Sequence, residues 1–194
     1  MLRIYENFMN VYDFDNTIYD GDSTFDFYIF SLKRHKKILL TFPSLLKSAL
    51  KFYLFKKGTK TEFKQIMYRF LRYVNYPEDL EDFWKAHKKN IKKWYLNQQK
   101  DDDVIISASP VFLLKPICDE LEIKNLFASI VDKNTGKYTG ENCHGKEKVR
   151  VFKTAFKNTQ IDEFYSDSKS DTPLAEISNK AFLVYGNEIK PWKI

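Results

Sequence analysis

The feature that most restricts this chain is a series of short apolar runs, three of which end in or beside residues able to do chemistry. The runs are FMNVYD (8–13), the apolar part of DDDVIISASP (101–110), DEFYSD (162–167) and AFLVYG (181–186). Each is too short for a core helix and is bounded by turn signals, the pattern of a buried strand. Helical patterns follow over roughly 110–121, 146–157 and 171–178, with Ser109 placed as an N-cap and Pro110 as first helical residue. Residues 128–140 suggest a hairpin turning at Asn134-Thr135-Gly136. Strands that alternate with helices predict an α/β fold, a mainly parallel sheet with helices on its faces.

One stretch breaks the alternation. Residues 24–100 read as helical throughout, with apolar residues at spacings of three and four, as in Phe63, Ile66, Met67, Phe70, Leu71 and Val74. Gly58 and the Tyr76-Pro77 step punctuate it, and Asp79, Glu81 and Asp82 sit in the first turn after Pro77, where a helix dipole favours acids. The division expected is an α/β core of residues 1–23 and 101–194, with a helical cap inserted at 24–100. Charge supports it. Residues 33–100 hold 18 Lys+Arg against 5 Asp+Glu, and the remainder holds 14 against 21. A basic surface attracts anions, whether phosphate esters, nucleic acid or acidic lipid; a plain solvated lysine face is the competing reading.

Composition narrows the class. Hydrophobic residues make up 43% of 194, enough for a sizeable core and against global disorder. Cys118 and Cys143 form no Cys-x-x-Cys pair, so two free thiols of a cytoplasmic protein are expected. Cys143-His144 lacks the partners of a soft-metal site. MLRIYENFMNVYDFD has no apolar run of leader type. The most apolar stretch, ILLTFPSLLKSALKFYLF (38–55), is interrupted by Pro43, Lys47 and Lys51 and falls short of the roughly 20 residues of a spanning helix.

Polar groups stand at three strand ends: Asp13 and Asp15 after the first, Ser107 in the second, and Asp167 after the third. Ligands bind outside the carboxyl ends of parallel strands, so these groups can converge. In DFDNT (13–17) Asp13 can attack phosphorus as a carboxylate nucleophile, and Asp15 can protonate the leaving oxygen and then deprotonate water. SDSKSD (166–171) adds Asp167 and Asp171, an oxygen-rich set suited to Mg²⁺. The Ser107 hydroxyl and the next backbone N–H, that of Ala108, can hold a phosphate oxygen at a helix start. Lys146, after Gly145, can neutralise a phosphoryl group. Singly, each has an ordinary reading as a turn, a cap or a surface lysine.

Together, in this order and context, the four motifs resemble those of the haloacid dehalogenase (HAD) superfamily. The stretches ISASPVFLLKPI and GENCHGKEKV are similar to its phosphoserine phosphatase-like and phosphatidylglycerophosphatase-like members. The resemblance implies a Rossmann-like parallel sheet core with an inserted helical cap, and a Mg²⁺-dependent phosphomonoester hydrolase acting through an aspartyl-phosphate. It implies Asp13 as nucleophile and metal ligand, and Asp15 as acid/base with its backbone carbonyl on the metal. Thr17 and Ser107 become phosphate ligands, Lys146 the motif lysine, Asp167 a direct metal ligand, and Asp171 an acid holding metal-bound water. Three positions depart from the pattern. Asn16 replaces a frequent glycine in a turn asparagine tolerates. Asp22 stands where phosphoserine phosphatases carry a glutamate for the substrate ammonium, and Ser170 where they carry asparagine.

A small phosphorylated metabolite is therefore the expected substrate, with a lipid phosphate such as phosphatidylglycerophosphate as the alternative. A basic nucleic-acid-binding module is the reading from another class; the acidic constellation argues against it. The cap sets Lys47, Lys51, Lys56 and Lys57 beside Leu45, Leu46, Leu50, Phe52, Leu54 and Phe55. Such a segment can pack on its neighbours or lie peripherally on an anionic membrane.

Overall fold

A computed structural model describes residues 7–193; the first six residues of the N-terminal segment and residue 194 lie outside it. The sheet has six strands in the order β3-β2-β1-β4-β5-β6. They are β1 (Asn7–Tyr12), β2 (Val104–Pro110), β3 (Asn125–Ser129), β4 (Thr159–Ser166), β5 (Ser178–Tyr185) and β6 (Glu188–Pro191). β1 to β5 are parallel and β6 is antiparallel to β5. This is the α/β, mainly parallel architecture expected. β1 lies between β2 and β4, so the chain departs from the middle of the sheet and its strand ends open onto one crevice.

Side chains alternate along each strand and build two cores. Tyr12, Ile105 and Tyr165 face the larger one, while Val11, Val104, Ile106 and Phe164 face the smaller. The smaller is closed by Phe152 of α7 (Lys146–Ala155), Leu174 of α8 (Thr172–Ala175) and Trp192.

Between β1 and β2 the chain forms α1 (Ser23–Arg34), α2 (Phe42–Ala49), α3 (Lys60–Met67), α4 (Glu78–His87) and α5 (Lys93–Gln98), with shorter helical turns between. Their aromatic interior runs without a break into the larger core. Phe14, beside the nucleophile candidate, meets Trp84 of α4 edge-on at 6.1 Å, and the Trp84 indole donates to the Leu113 carbonyl in α6 (Val111–Glu120) at 2.7 Å. The way out of this helical region is tied to the loop after β1. The Asp20 amide donates to the Asn90 carbonyl and the Lys92 amide to that of Ile18, both at 2.8 Å. The buried Lys92 ammonium donates to the carbonyls of Asn16 at 2.5 Å and Gly186 at 2.6 Å.

Two local expectations need correction, and one strand is new. Residues 128 and 129 end a parallel strand beside β2, and the antiparallel part of the expected hairpin shrinks to one bridge, Val131 with Tyr138. The turn itself is real: the Asp132 carboxylate receives the amides of Asn134 and Thr135. Ser109 does not cap α6, because β2 continues through Pro110. β6 is an addition, too short and exposed to carry a strand signature.

Candidate active site

The loop after β1 turns tightly enough to hold both acids of DFDNT. Asn16 takes φ +56°, a left-handed conformation asparagine accepts more readily than most residues, and its amide donates to the Gly21 carbonyl at 2.8 Å. Asp13 is pinned to the neighbouring strand end, its amide donating to the Tyr165 carbonyl at 2.9 Å. Asp13, Asp15, Ser107, Ala108, Asp167 and Asp171 all line one small cleft of about 140 Å³, room for a phosphoryl group and little more.

The buried lysine of that cleft is Lys148. Its buried ammonium donates to Asp13 Oδ1 and Asp171 Oδ2, both at 2.7 Å. Lys146, the residue singled out in the sequence, is exposed at the start of α7 and does not line the cleft. Helical phase explains the correction. Two residues differ by about 200° around a helix, and Lys148 is four residues before the buried Phe152, on the inward face. Reading the apolar phase of α7 backwards from Phe152 would have found it.

Thr17 also changes place. It is fully buried and absent from the cleft wall, and its hydroxyl receives the Asp167 amide at 2.9 Å. It therefore fixes the metal-ligand candidate; it is not positioned as a phosphate ligand. Ser107 lines the cleft and accepts the Ser109 amide at 3.1 Å. Ser109, read as a helix cap, donates its hydroxyl to Asp15 Oδ2. Asp15 Oδ1 receives the Ser23 amide at 2.8 Å, and Thr24 stands 3.0 Å from the Ser109 hydroxyl. The start of α1 thus holds the second acid. Asp22 caps that helix, accepting the Phe25 amide at 2.9 Å, and lines the cleft from the outside.

These surroundings raise the acids, each against different opposing partners. Burial and nearby Asp22 raise the Asp15 carboxyl to about 7, against the opposing hydrogen bonds from Ser109 and Ser23. Burial raises Asp13, Lys148 opposes that, and Asp171 adds to it. Burial alone would depress Lys148, but Asp13 and Asp171 more than offset this and hold it protonated. Asp167 rises to about 6 through burial and the charges of Asp13 and Asp171.

The donor set fits a hard divalent cation. Five carboxylates, those of Asp13, Asp15, Asp22, Asp167 and Asp171, line the cleft with two lysines, Lys64 and Lys148, an excess of negative charge when all are ionised. Asp171 Oδ1 is buried with no hydrogen-bond partner. Among the described residues no three His, Cys, Asp or Glu side chains form a ready-made metal cage. Cys143 and His144 bring no such cage either, and burial pushes the Cys143 thiol up to about 12.

Beyond the cleft lies an apolar pocket of about 360 Å³ formed by Phe25, Tyr28, Leu45, Tyr53, Phe63 and Met67, with Asp22 and Lys64 lining both spaces. Nothing in the motif pattern foretold it, because its walls come from α1, α2, α3 and the turn after α2.

Comparison with known proteins agrees with this layout. Pyridoxal phosphate phosphatase PHOSPHO2 of Rattus norvegicus is 26% identical over 166 residues, covering 79% of this chain and 64% of the relative's length. A protein of unknown function from Bordetella pertussis Tohama I superposes with TM-score 0.70 at 17% identity, over 91% of this chain and 89% of that one. A phosphoserine phosphohydrolase-like protein from Francisella tularensis gives 0.55 at 16% identity, over 90% and 85%. At these identities the structural likenesses speak for the fold. Residues 11–176 match the haloacid dehalogenase-like hydrolase family, from the first strand through the final acid of the cleft, and the chain belongs to that family.

Proposed function

We propose that this protein is a Mg²⁺-dependent phosphomonoester hydrolase with Asp13 as nucleophile and Asp15 as acid/base. The observation that carries the reading is the convergence of two buried acids with different partners in a phosphoryl-sized cleft. Asp13 pairs with the Lys148 ammonium, while Asp15 accepts the Ser109 hydroxyl and the Ser23 amide; burial raises both carboxyls, that of Asp15 to about 7. An Asp13 oxygen attacks phosphorus and the bond to the leaving oxygen breaks. Asp15 gives that oxygen its proton. Asp15 then takes a proton from water, the water oxygen attacks phosphorus, and the Asp13–phosphorus bond breaks to free inorganic phosphate. Ser107 and the Ala108 amide orient the phosphoryl oxygens, and Lys148 balances the acids around them. Asp13, Asp167 and Asp171, with the Asp15 carbonyl, would hold Mg²⁺, whose chemistry is to neutralise and polarise the phosphoryl group.

The leaving group enters the apolar pocket. Phosphoserine would leave its rings unused. A small metabolite whose alcohol carries a ring fits better, and pyridoxal phosphate, named for the rat relative, is the first probe. A lipid phosphate is the second reading, favoured because Leu45 and Tyr53 of the pocket come from the most apolar segment of the chain. The test is phosphate release from pyridoxal phosphate, phosphoserine, para-nitrophenyl phosphate and a lysophospholipid phosphate by the wild type and Asp13→Asn. No release from any ester with Mg²⁺, or equal release by Asp13→Asn, overturns the chemistry. A clear preference for phosphoserine leaves the chemistry and removes the ring-bearing substrate. Salt-sensitive oligonucleotide retention without hydrolysis would favour the nucleic-acid reading.

A further inference from the structure

We propose that the outer face of α2 and the turn after it docks on an anionic phospholipid bilayer. From Phe42 to Leu54 the chain is continuously helical, about 20 Å long, and none of its residues is buried. It has two apolar sides. Leu45 packs inward against the larger core and Phe52 stacks on Phe63 at 6.2 Å. On the other side Phe42, Leu46, Leu50 and Leu54 recur every four residues and all are exposed, Leu54 at 67%. Leu40 at 71% and Phe55 at 63% extend the stripe at its two ends. The core-facing requirement of this segment is already met by its inner side, so the outer stripe is surplus to folding. An apolar stripe this concentrated marks a contact surface.

Charge selects the occupant. Residues 27–61 contain nine Lys+Arg and no Asp or Glu. Beside the stripe, a groove of about 540 Å³ gathers Lys47, Lys51, Lys57, Arg69 and Lys137 around the single acid Glu62. An apolar face flanked by lysines, with stems long enough to lie along it, is the arrangement of a helix seated at the headgroup boundary. The cationic groove would then take lipid phosphates. No helix among the described residues is long and apolar enough to cross a membrane, so the attachment is peripheral. It stands independently of which ester the cleft hydrolyses.

The experiment is co-flotation of the full chain with phosphatidylcholine vesicles containing phosphatidylglycerol, and with pure phosphatidylcholine vesicles, at low and high salt. Binding to the anionic vesicles is expected, weakening as salt rises. Lys47→Glu with Lys51→Glu should reduce it by at least about tenfold, since each lysine near such a surface contributes about fivefold. Leu46→Ser with Leu50→Ser should weaken it as well, while para-nitrophenyl phosphate hydrolysis stays at the wild-type level and reports an intact fold. Absence of binding at low salt, equal binding to the neutral vesicles, or binding unchanged in both double variants overturns the proposal. A concentration-dependent dimer that disappears in the leucine variant, without vesicle binding, would assign the face to a second copy and overturn it too.

Discussion

The cleft and the outer face of the helical region use lysine in opposite ways. Lys148 is buried, fixed by two carboxylates and surrounded by acids that need it. Lys47, Lys51 and Lys57 border an open groove with Glu62 as its one acid. In the first place a lysine is one member of a charge set, and removing it leaves buried carboxylates uncompensated. In the second, each lysine adds a small solvent-screened increment. Residue type therefore says little about a lysine in this chain; depth and partners decide, and Lys146 and Lys148 draw the same distinction within one helical turn.

The largest effects should follow from breaking the buried set. Asp13→Asn should abolish turnover because the amide cannot attack phosphorus. Lys148→Met should lower phosphate release by at least about 10²–10³-fold, the usual cost of losing one preorganised donor, and destabilise the fold by about 3–5 kcal/mol through the unpaired acids. Lys146→Met at the head of the same helix should do neither. Steady-state kinetics and chemical denaturation of the two lysine variants decide between them, and matching losses would dissolve the contrast.

Asp15→Asn comes next, with an expected loss of about 10²–10⁴-fold for esters with poor leaving groups. Asp15 must carry its proton to act as acid, so the rate on an alkyl phosphate should fall as pH rises through about 7. This limb should be shallow for para-nitrophenyl phosphate, whose leaving group needs no proton, and absent in Asp15→Asn. A raised carboxyl also means that the fold gains from its protonation. That contribution is full below the ordinary carboxylate range and is lost as pH rises through about 7.

Asp167→Ala should raise the Mg²⁺ concentration needed for half-maximal activity, and EDTA should silence the wild type. Full activity in rigorously metal-free buffer would sink the assignment of the acids to a cation. Smaller again, Phe63→Ala should raise KM for a ring-bearing ester by about tenfold, the order expected for losing part of one aromatic contact, with kcat little changed. An equal change for phosphoserine would mean that the pocket does not discriminate.

The fold was legible wherever local pattern and global position agree. Buried strands with acids at their carboxyl ends announce a parallel sheet and its crevice, and a long helical stretch between the first two strands announces the region beside it. β6 escaped because an exposed antiparallel edge needs no apolar run. Within the cleft, the acids were visible because strand ends place them. Two hydroxyls, those of Thr17 and Ser109, and the lysine escape the linear reading because their placement depends on rotation and depth. Ser109 looks like a cap from its neighbour Pro110, yet turns to Asp15. Thr17 sits in the motif but faces Asp167. The apolar pocket was invisible because its walls come from separate helices whose packing no linear pattern encodes.

The clasp formed by Lys92 bears on how such proteins can be rebuilt. One ammonium joins the end of the helical region to the carbonyl of Asn16, in the loop that carries the two acids, and to Gly186 at the far turn of the sheet. The helices that shape the pocket are thus not an interchangeable attachment. Grafting another helical region onto this sheet would need to bring its own Lys92, or the backbone of the reacting loop would lose a fixed point and the recipient would inherit a new specificity together with a slackened catalyst.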